Sequence, residues 1–168
     1  MIYPFNAHEA VKIAIRIEEN GLDFYNNAAK KFQPSKTADL FVRLAKEEEV
    51  HKAIFTKMLA ELPKEEGPSV FDPDNEMDQY LQMMAGMHVF LQDQKDVDGI
   101  LDKIKDEKAA LELAISFEKD SVNFYVQLKE ATQSVDDRIP VDRLISEESK
   151  HVRVLSAVYN KLFPKANA

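Results

Sequence analysis

A chain of 168 residues, 45% apolar and 31% charged, is long enough for one domain with a continuous core and hardly long enough for two. Four Gly and no Trp suit a helical globular protein better than a sandwich or barrel. The net charge of -8 comes from Glu and Asp scattered among Lys without basic clusters, which argues against nucleic acid as a partner, and the absence of Cys excludes disulfide scaffolds, thiolate metal sites and cysteine nucleophiles.

The N-terminal residues Met1 to Glu9 lack the basic start and apolar run of a signal peptide, and no apolar stretch has the length of a bilayer span, so the expected location is the cytoplasm, away from membranes. Asn6 with Glu9 three residues on forms a capping-box pattern, and Val11, Ala14, Ile15, Leu22, Tyr25 and Ala29 then recur at helical spacing. The first helix is expected from about Asn6 to Phe32. After a break at Gln33, Pro34 and Ser35, a second stripe of Leu40, Phe41, Leu44, Phe55, Met58, Leu59 and Leu62 runs to a stop at Pro63.

The segment from Pro63 to about Asp74 reads as loop, and Asn75 to Leu91, with Met77, Met83, Met84 and Met87, reads as a further helix. A short helical piece is expected from Val97 to Ile104. Asp106 can cap the next helix, striped by Ala110, Leu111, Ala114, Ile115, Val122 and Tyr125. Pro140 sits where a last helix can begin, and Val141, Leu144, Ile145, Leu155, Val158, Tyr159 and Leu162 carry it to Pro164. The whole chain, 1–168, is thus expected to be one all-α domain. A hairpin over about 6–62 and a hairpin over about 106–163 pack as a four-helix bundle, with a long helical crossover over about 63–105 between them.

The two hairpins repeat one pattern. Glu18, Glu48 and His51 return one hundred residues later as Glu118, Glu148 and His151, and the pairs Phe24–Tyr25 and Phe124–Tyr125 follow in register. Ala10, Ala14, Arg43, Leu44 and Glu47 also recur, as Ala110, Ala114, Arg143, Leu144 and Glu147. Glu18 falls on the apolar stripe of its helix, and each Glu-x-x-His places both side chains on one face among apolar neighbours. Four acids and two imidazoles are therefore aimed at one interior.

Four buried carboxylates repel one another and must be protonated, paired with cations or bound to metal. No Lys or Arg lies on these stripes, whereas two divalent ions would neutralise all four acids. Lone Glu residues on two helices and Glu-x-x-His on the other two are the ligand pattern of ferritin-like sites for paired iron or manganese. A single Glu-x-x-His in a Glu-rich helix is more often a solvated face, and it is the duplication that favours ligation. Tyr25 and Tyr125, each two turns after a Glu ligand on the same face, are within reach of a hydrogen bond to that carboxylate, the alternative being ordinary core tyrosines. Glu47 and Glu147 can orient a His ring on a neighbouring helix, or else remain surface acids beside Lys46 or Lys150. Glu19 and Glu49 are expected to face solvent, and His8 and His88 have no partner at metal spacing.

The segment Ala14-Ile15-Arg16-Ile17-Glu18-Glu19-Asn20-Gly21-Leu22-Asp23-Phe24-Tyr25, the segment Glu47-Glu48-Glu49-Val50-His51 and their second-half counterparts resemble the rubrerythrin branch of the ferritin-like superfamily, from about Ala10 to Leu162. The resemblance implies a carboxylate-bridged di-iron centre with Glu18, Glu48, His51, Glu118, Glu148 and His151 as ligands, manganese or zinc being substitutes. It implies an oxidoreductase that reduces hydrogen peroxide or oxygen at a di-ferrous pair, as a peroxidase or ferroxidase, in a homodimer. A non-enzymatic iron-binding, storage or sensing bundle is the alternative. Rubrerythrins usually bear a further Glu one turn after the third-helix ligand, where this chain has Ser121, and a rubredoxin domain with iron-holding cysteines, of which this chain has none. Electrons are accordingly expected from an external donor such as a rubredoxin.

Overall fold

The computed structural model describes residues 7–62, 94–131 and 135–164. They form five helices and no strand: α1, Ala7–Lys31; α2, Lys36–Glu61; α3, Gln94–Lys103; α4, Glu107–Ala131; and α5, Val135–Leu162. α1 packs along α2 and α4 along α5, giving two hairpins. These meet through α1 against α4 and α2 against α5, while α3 lies on α1. The result is the all-α, ferritin-like bundle that the repeat predicts. No helix among the described residues is long and apolar enough to cross a membrane.

Local chemistry sets both ends of α2 and the start of α4. The Ser35 hydroxyl accepts the Ala38 N–H at 3.1 Å and opens α2, satisfying one of the amides a helix start leaves unpaired. Asp106 Oδ1 does the same for the Ala109 N–H at 2.8 Å and opens α4. Leu62 precedes Pro63 and takes extended backbone at φ -61 and ψ 139, because the proline ring disfavours the helical conformation before it. The Asn6 capping box, the loop over 63–74, the helix over 75–91 with its methionines, and His88 lie outside the described residues.

Two expectations need correction. The last helix begins not at Pro140 but at Val135, so Pro140 lies inside α5. Its missing N–H gives up the bond to the carbonyl of residue 136, a single loss near the helix start, and the turn before it is wet, with Val135 and Ile139 exposed. In α1 the buried face also differs from the stripe read in the sequence. Ile15 and Leu22 are only half-buried, whereas Ile17, Gly21, Phe24 and Ala28 join Val11, Ala14, Glu18 and Tyr25 inside.

The interior carries aromatic rings both within a hairpin and between hairpins. Phe24 meets Phe41 edge-on at 6.1 Å within the first hairpin, and Phe55 of α2 meets Tyr125 of α4 at 5.0 Å across the hairpins. Tyr25, Tyr125, Phe41, Phe55, Phe117 and Phe124 are all buried. Large rigid rings at these points fix the spacing of the four helices around the polar residues between them. α3 is tied on by Lys31, whose Nζ donates to the Leu101 carbonyl at 2.5 Å.

Candidate metal centre

Each bundle helix contributes to one polar cluster at mid-height. α1 brings Glu18, α2 brings Glu48 and His51, α4 brings Glu118, and α5 brings Glu148 and His151; all six are buried to 1% exposure or less. The structure therefore brings together every residue that the repeat marks as a candidate ligand. Glu19 instead pairs at the surface with Lys52 at 2.8 Å, and Glu49 is exposed.

The six fall into two overlapping groups. Glu18, Glu48, His51 and Glu148 offer ligand atoms within 4.8 Å of one another, as do Glu48, Glu118, Glu148 and His151. Glu48 and Glu148 belong to both groups, and each group contains one imidazole. His51 Nδ1 lies 2.7 Å from Glu148 Oε1 and 3.6 Å from Glu18 Oε2. His151 Nδ1 lies 3.0 Å from Glu148 Oε2, 3.4 Å from Glu118 Oε1 and 3.7 Å from Glu48 Oε1. The two imidazoles are nearly parallel, 18° apart, with centroids at 5.5 Å.

The outer nitrogens point the other way and find carboxylates on the opposite hairpin. His51 Nε2 is 2.9 Å from Glu147 Oε2, and His151 Nε2 is 2.8 Å from Glu47 Oε2. A carboxylate there accepts the Nε2 proton, so that a metal displacing the Nδ1 proton would meet a lone pair facing inward. Glu147 is itself held by Arg143, Nε to Oε1 at 2.9 Å, and Glu47 lies 3.9 Å from Lys150. Arg143, rather than a lysine, is thus the cation on the Glu147 side.

The tyrosines correct the sequence expectation. Tyr25 donates not to Glu18 of its own helix but to Glu118 Oε1, and Tyr125 donates to Glu18 Oε1. Two turns along one helix is about 10 Å, so a phenol that points across the bundle meets the facing helix sooner than its own. Each bond occupies one carboxylate oxygen and leaves the other, Oε2, turned to the cluster.

The side chains alone push the titration of their neighbours in opposite directions. Burial, then the charges of Glu18, Glu148 and Glu118, pushes Glu48 well above the carboxylate range, and burial with Glu148 does the same to Glu118. Burial opposes charge on the imidazoles too, but neighbouring carboxylates outweigh it and hold His51 at about 10 and His151 at about 11. Glu148 goes the other way: burial is outweighed by His151 and His51, and its carboxyl is held well below the usual range. Both tyrosines are pushed well above 10.0, first by burial and then by the charges of the glutamates around them.

The donor set fits paired metal ions. Glu18 Oε2, Glu48 Oε1, Glu118 Oε2, both oxygens of Glu148, and Nδ1 of both His51 and His151 are buried without a hydrogen-bond partner, although several lie within contact distance of one another. Buried polar atoms that converge without partners each cost on the order of 1–3 kcal/mol. Hard divalent cations relieve that cost, and carboxylate oxygen with imidazole nitrogen is the ligand chemistry of iron, manganese and zinc.

One pair of residues around the cluster is not evident from the repeat. A methyl group on Gly21 would lie 2.6 Å from Phe117 Cζ and 3.1 Å from Glu48 Oε2, so the phenyl ring reaches over the bare glycine backbone beside the carboxylate. The visible signal was a break in the repeat. Ile17 and Gly21 correspond to Phe117 and Ser121, a change in both size and chemistry within an otherwise matched register.

The fold and the cluster together define a protein of the ferritin-like diiron-carboxylate class. A family model described as Rubrerythrin matches residues 9–159, and the chain belongs to that family. It is also similar to the crystal structure of a candidate ferritin-like diiron-carboxylate protein from Thermotoga maritima, at 26% identity and a TM-score of 0.67, over 94% of this chain and 97% of that one. A comparison with curated protein sequences gives no match.

Proposed function

We propose that the protein holds two iron ions between its hairpins and works as an oxidoreductase that reduces hydrogen peroxide or oxygen, drawing electrons from an external donor such as a rubredoxin. The observation that supports this best is the overlap of the two ligand groups at Glu48 and Glu148, with one inward-facing imidazole in each. A single-metal or purely structural site needs no such sharing. Two ferrous ions there would supply the two electrons that reduce hydrogen peroxide to two waters with uptake of two protons, or that begin the reduction of oxygen.

The chain's own residues prepare that chemistry. Glu47 and Glu147 orient the imidazoles through Nε2, so that each Nδ1 is presented to a metal in a fixed direction. Tyr25 and Tyr125 hold Glu118 and Glu18 by one oxygen each, leaving the other oxygen as ligand. Burial of all six candidate ligands keeps bulk water out, and the aromatic residues around them keep the surroundings apolar. Glu48 and Glu148, held by helices on opposite hairpins, can bridge.

Rapid mixing tests the reading. Protein reconstituted with two Fe(II) per chain is mixed with peroxide or oxygen while the ferric absorbance is followed. Oxidation much faster than that of free Fe(II), repeated after re-reduction, is expected. Oxidation no faster than free Fe(II), with metal bound and the fold stabilised, would instead establish a non-enzymatic iron-binding bundle.

A further inference from the structure

The cluster is nearly two-fold symmetric in its candidate ligands but not in what covers it on the side of α1 and α4. The imidazoles and their outer carboxylates occupy the α2–α5 side, since His51 and His151 turn Nε2 toward Glu147 and Glu47. The opposite side is formed by α1 and α4, and there Phe117 and Gly21 fit together. The phenyl Cζ comes within 2.6 Å of the point where a side chain on Gly21 would start, and Glu48 Oε2 lies 3.1 Å from that same point. Phe117 is also braced edge-on by Tyr25, with centroids 6.1 Å apart at 75°, and Tyr25 is fixed in turn by its bond to Glu118. The ring is thus a buried wall beside Glu48, held from two directions. The corresponding positions in the other half of the repeat are Ile17 and Ser121, both buried, an aliphatic chain shorter than a phenyl group and a small residue whose hydroxyl donates to the Phe117 carbonyl at 3.1 Å.

We propose that Phe117, seated against Gly21, is the size-selecting wall of the site. It fills the space beside Glu48, so that only a ligand as small as oxygen, hydrogen peroxide or azide reaches the metal pair, and alkyl hydroperoxides are shut out. This rests on the peroxide-reducing reading for its substrate class, whereas the wall itself follows from packing. An alkyl hydroperoxide ROOH would react by the same balance as hydrogen peroxide: the O–O bond breaks, two electrons arrive from the external donor by way of the iron pair, two protons are taken up, and ROH and water leave. Nothing in that chemistry discriminates against R, so discrimination falls to the space available.

The test uses Phe117→Ile, which places in α4 the residue that α1 carries at Ile17 and so keeps a side chain this architecture already packs. Binding of azide and of the bulkier anion trimethylacetate to the di-cobalt(II) protein is followed by visible absorbance, and turnover of tert-butyl hydroperoxide is compared with that of hydrogen peroxide in the di-iron protein. Azide already passes the wall and should change by less than about twofold, whereas opening the wall is expected to tighten trimethylacetate at least about tenfold and to raise the tert-butyl to hydrogen peroxide rate ratio by a similar factor, the scale at which a pocket discriminates one or two carbon atoms. The double variant Gly21→Ala/Phe117→Ile puts a methyl group into the opened space and should give back part of both gains. Unchanged trimethylacetate affinity in a variant that folds and binds two cobalt ions overturns the proposal, as does a wild-type protein that turns over tert-butyl hydroperoxide as readily as hydrogen peroxide. If trimethylacetate tightens while neither peroxide reacts, the wall stands and the peroxide-reducing reading fails. If both peroxides react with unchanged selectivity and unchanged trimethylacetate affinity, the reading stands and the wall falls.

Discussion

Hairpin α1–α2 and hairpin α4–α5 carry the same candidate ligands at the same spacing, yet Glu48 and Glu148 live in opposite electrostatic surroundings. Glu148 has both imidazole Nδ1 atoms within 3.0 Å and its carboxyl is held low, whereas Glu48 comes no closer than 3.7 Å to the His151 Nδ1 and is driven toward its neutral form by burial and by three other glutamates. A sequence repeat duplicates side-chain types and directions. It does not duplicate charge state, because that depends on which groups of the other half come within a few ångströms. The supports behave alike. Each histidine is backed by a glutamate of the opposite hairpin and each tyrosine bonds a glutamate of the opposite hairpin, so neither half holds its ligands by its own means.

The largest expected effect comes from separating the two acids shared by both groups. In chelator-treated protein, Glu148→Gln removes the ionised partner of two buried imidazolium groups and should cost about 3–5 kcal/mol in urea denaturation, as loss of one partner from a buried pair does. Glu48→Gln replaces a carboxyl that burial and the neighbouring glutamates drive toward its neutral form, and should change metal-free stability by less than about 1 kcal/mol. Both substitutions should reduce iron content below two per chain by elemental analysis. Equal stability losses would erase the proposed difference between the halves.

The outer carboxylates come next. Glu147→Gln and Glu47→Gln should each weaken metal binding by about 10–100-fold, the usual effect of removing the group that orients a ligating histidine. Calorimetric titration with Co(II) measures it, and an effect confined to one of the two would show that the rings are not supported equivalently.

Proton linkage gives a smaller, graded effect. Folded-state pKa values of about 10 for His51 and 11 for His151 lie above the unfolded value of 6.5, so the stability these groups add to the metal-free fold is fully present below 6.5 and lost as pH rises through 10 to 11. Metal must displace those protons. Near pH 8, affinity should therefore rise on the order of tenfold per pH unit for each proton released, with heats that vary with the ionisation enthalpy of the buffer. Buffer-independent heats would mean that the imidazoles were already neutral. The smallest effect is expected from Tyr25→Phe, about 1 kcal/mol of metal-free stability for one buried hydrogen bond.

The ligand types and the four-helix plan were legible because helical periodicity converts spacing directly into a shared face, and the repeat separates meaningful acids such as Glu48 from solvated ones such as Glu49. What was not legible depends on contacts between elements. Tyr25 was expected to bond the glutamate of its own helix because sequence spacing describes only that helix, and Glu118 is reached across the bundle. Pro140 looked like a helix start because its ring suits one, but α5 tolerates a single missing bond in a wet early turn and begins at Val135. The Phe117–Gly21 fit needed two helices in place before a size difference in the repeat became a shape.

The crossed tyrosine bonds also bear on how the molecule forms. They link residues 93 and 107 positions apart in the chain. Each hairpin can form early from contacts near in sequence, but these bonds close only once both hairpins have been made and have docked across the intervening crossover. A chain emerging from the ribosome with only its first hairpin has one Glu-x-x-His and no opposing acids, and so offers iron a single incomplete set of ligands. Assembly of the full cluster is thereby deferred until the whole bundle is closed around it.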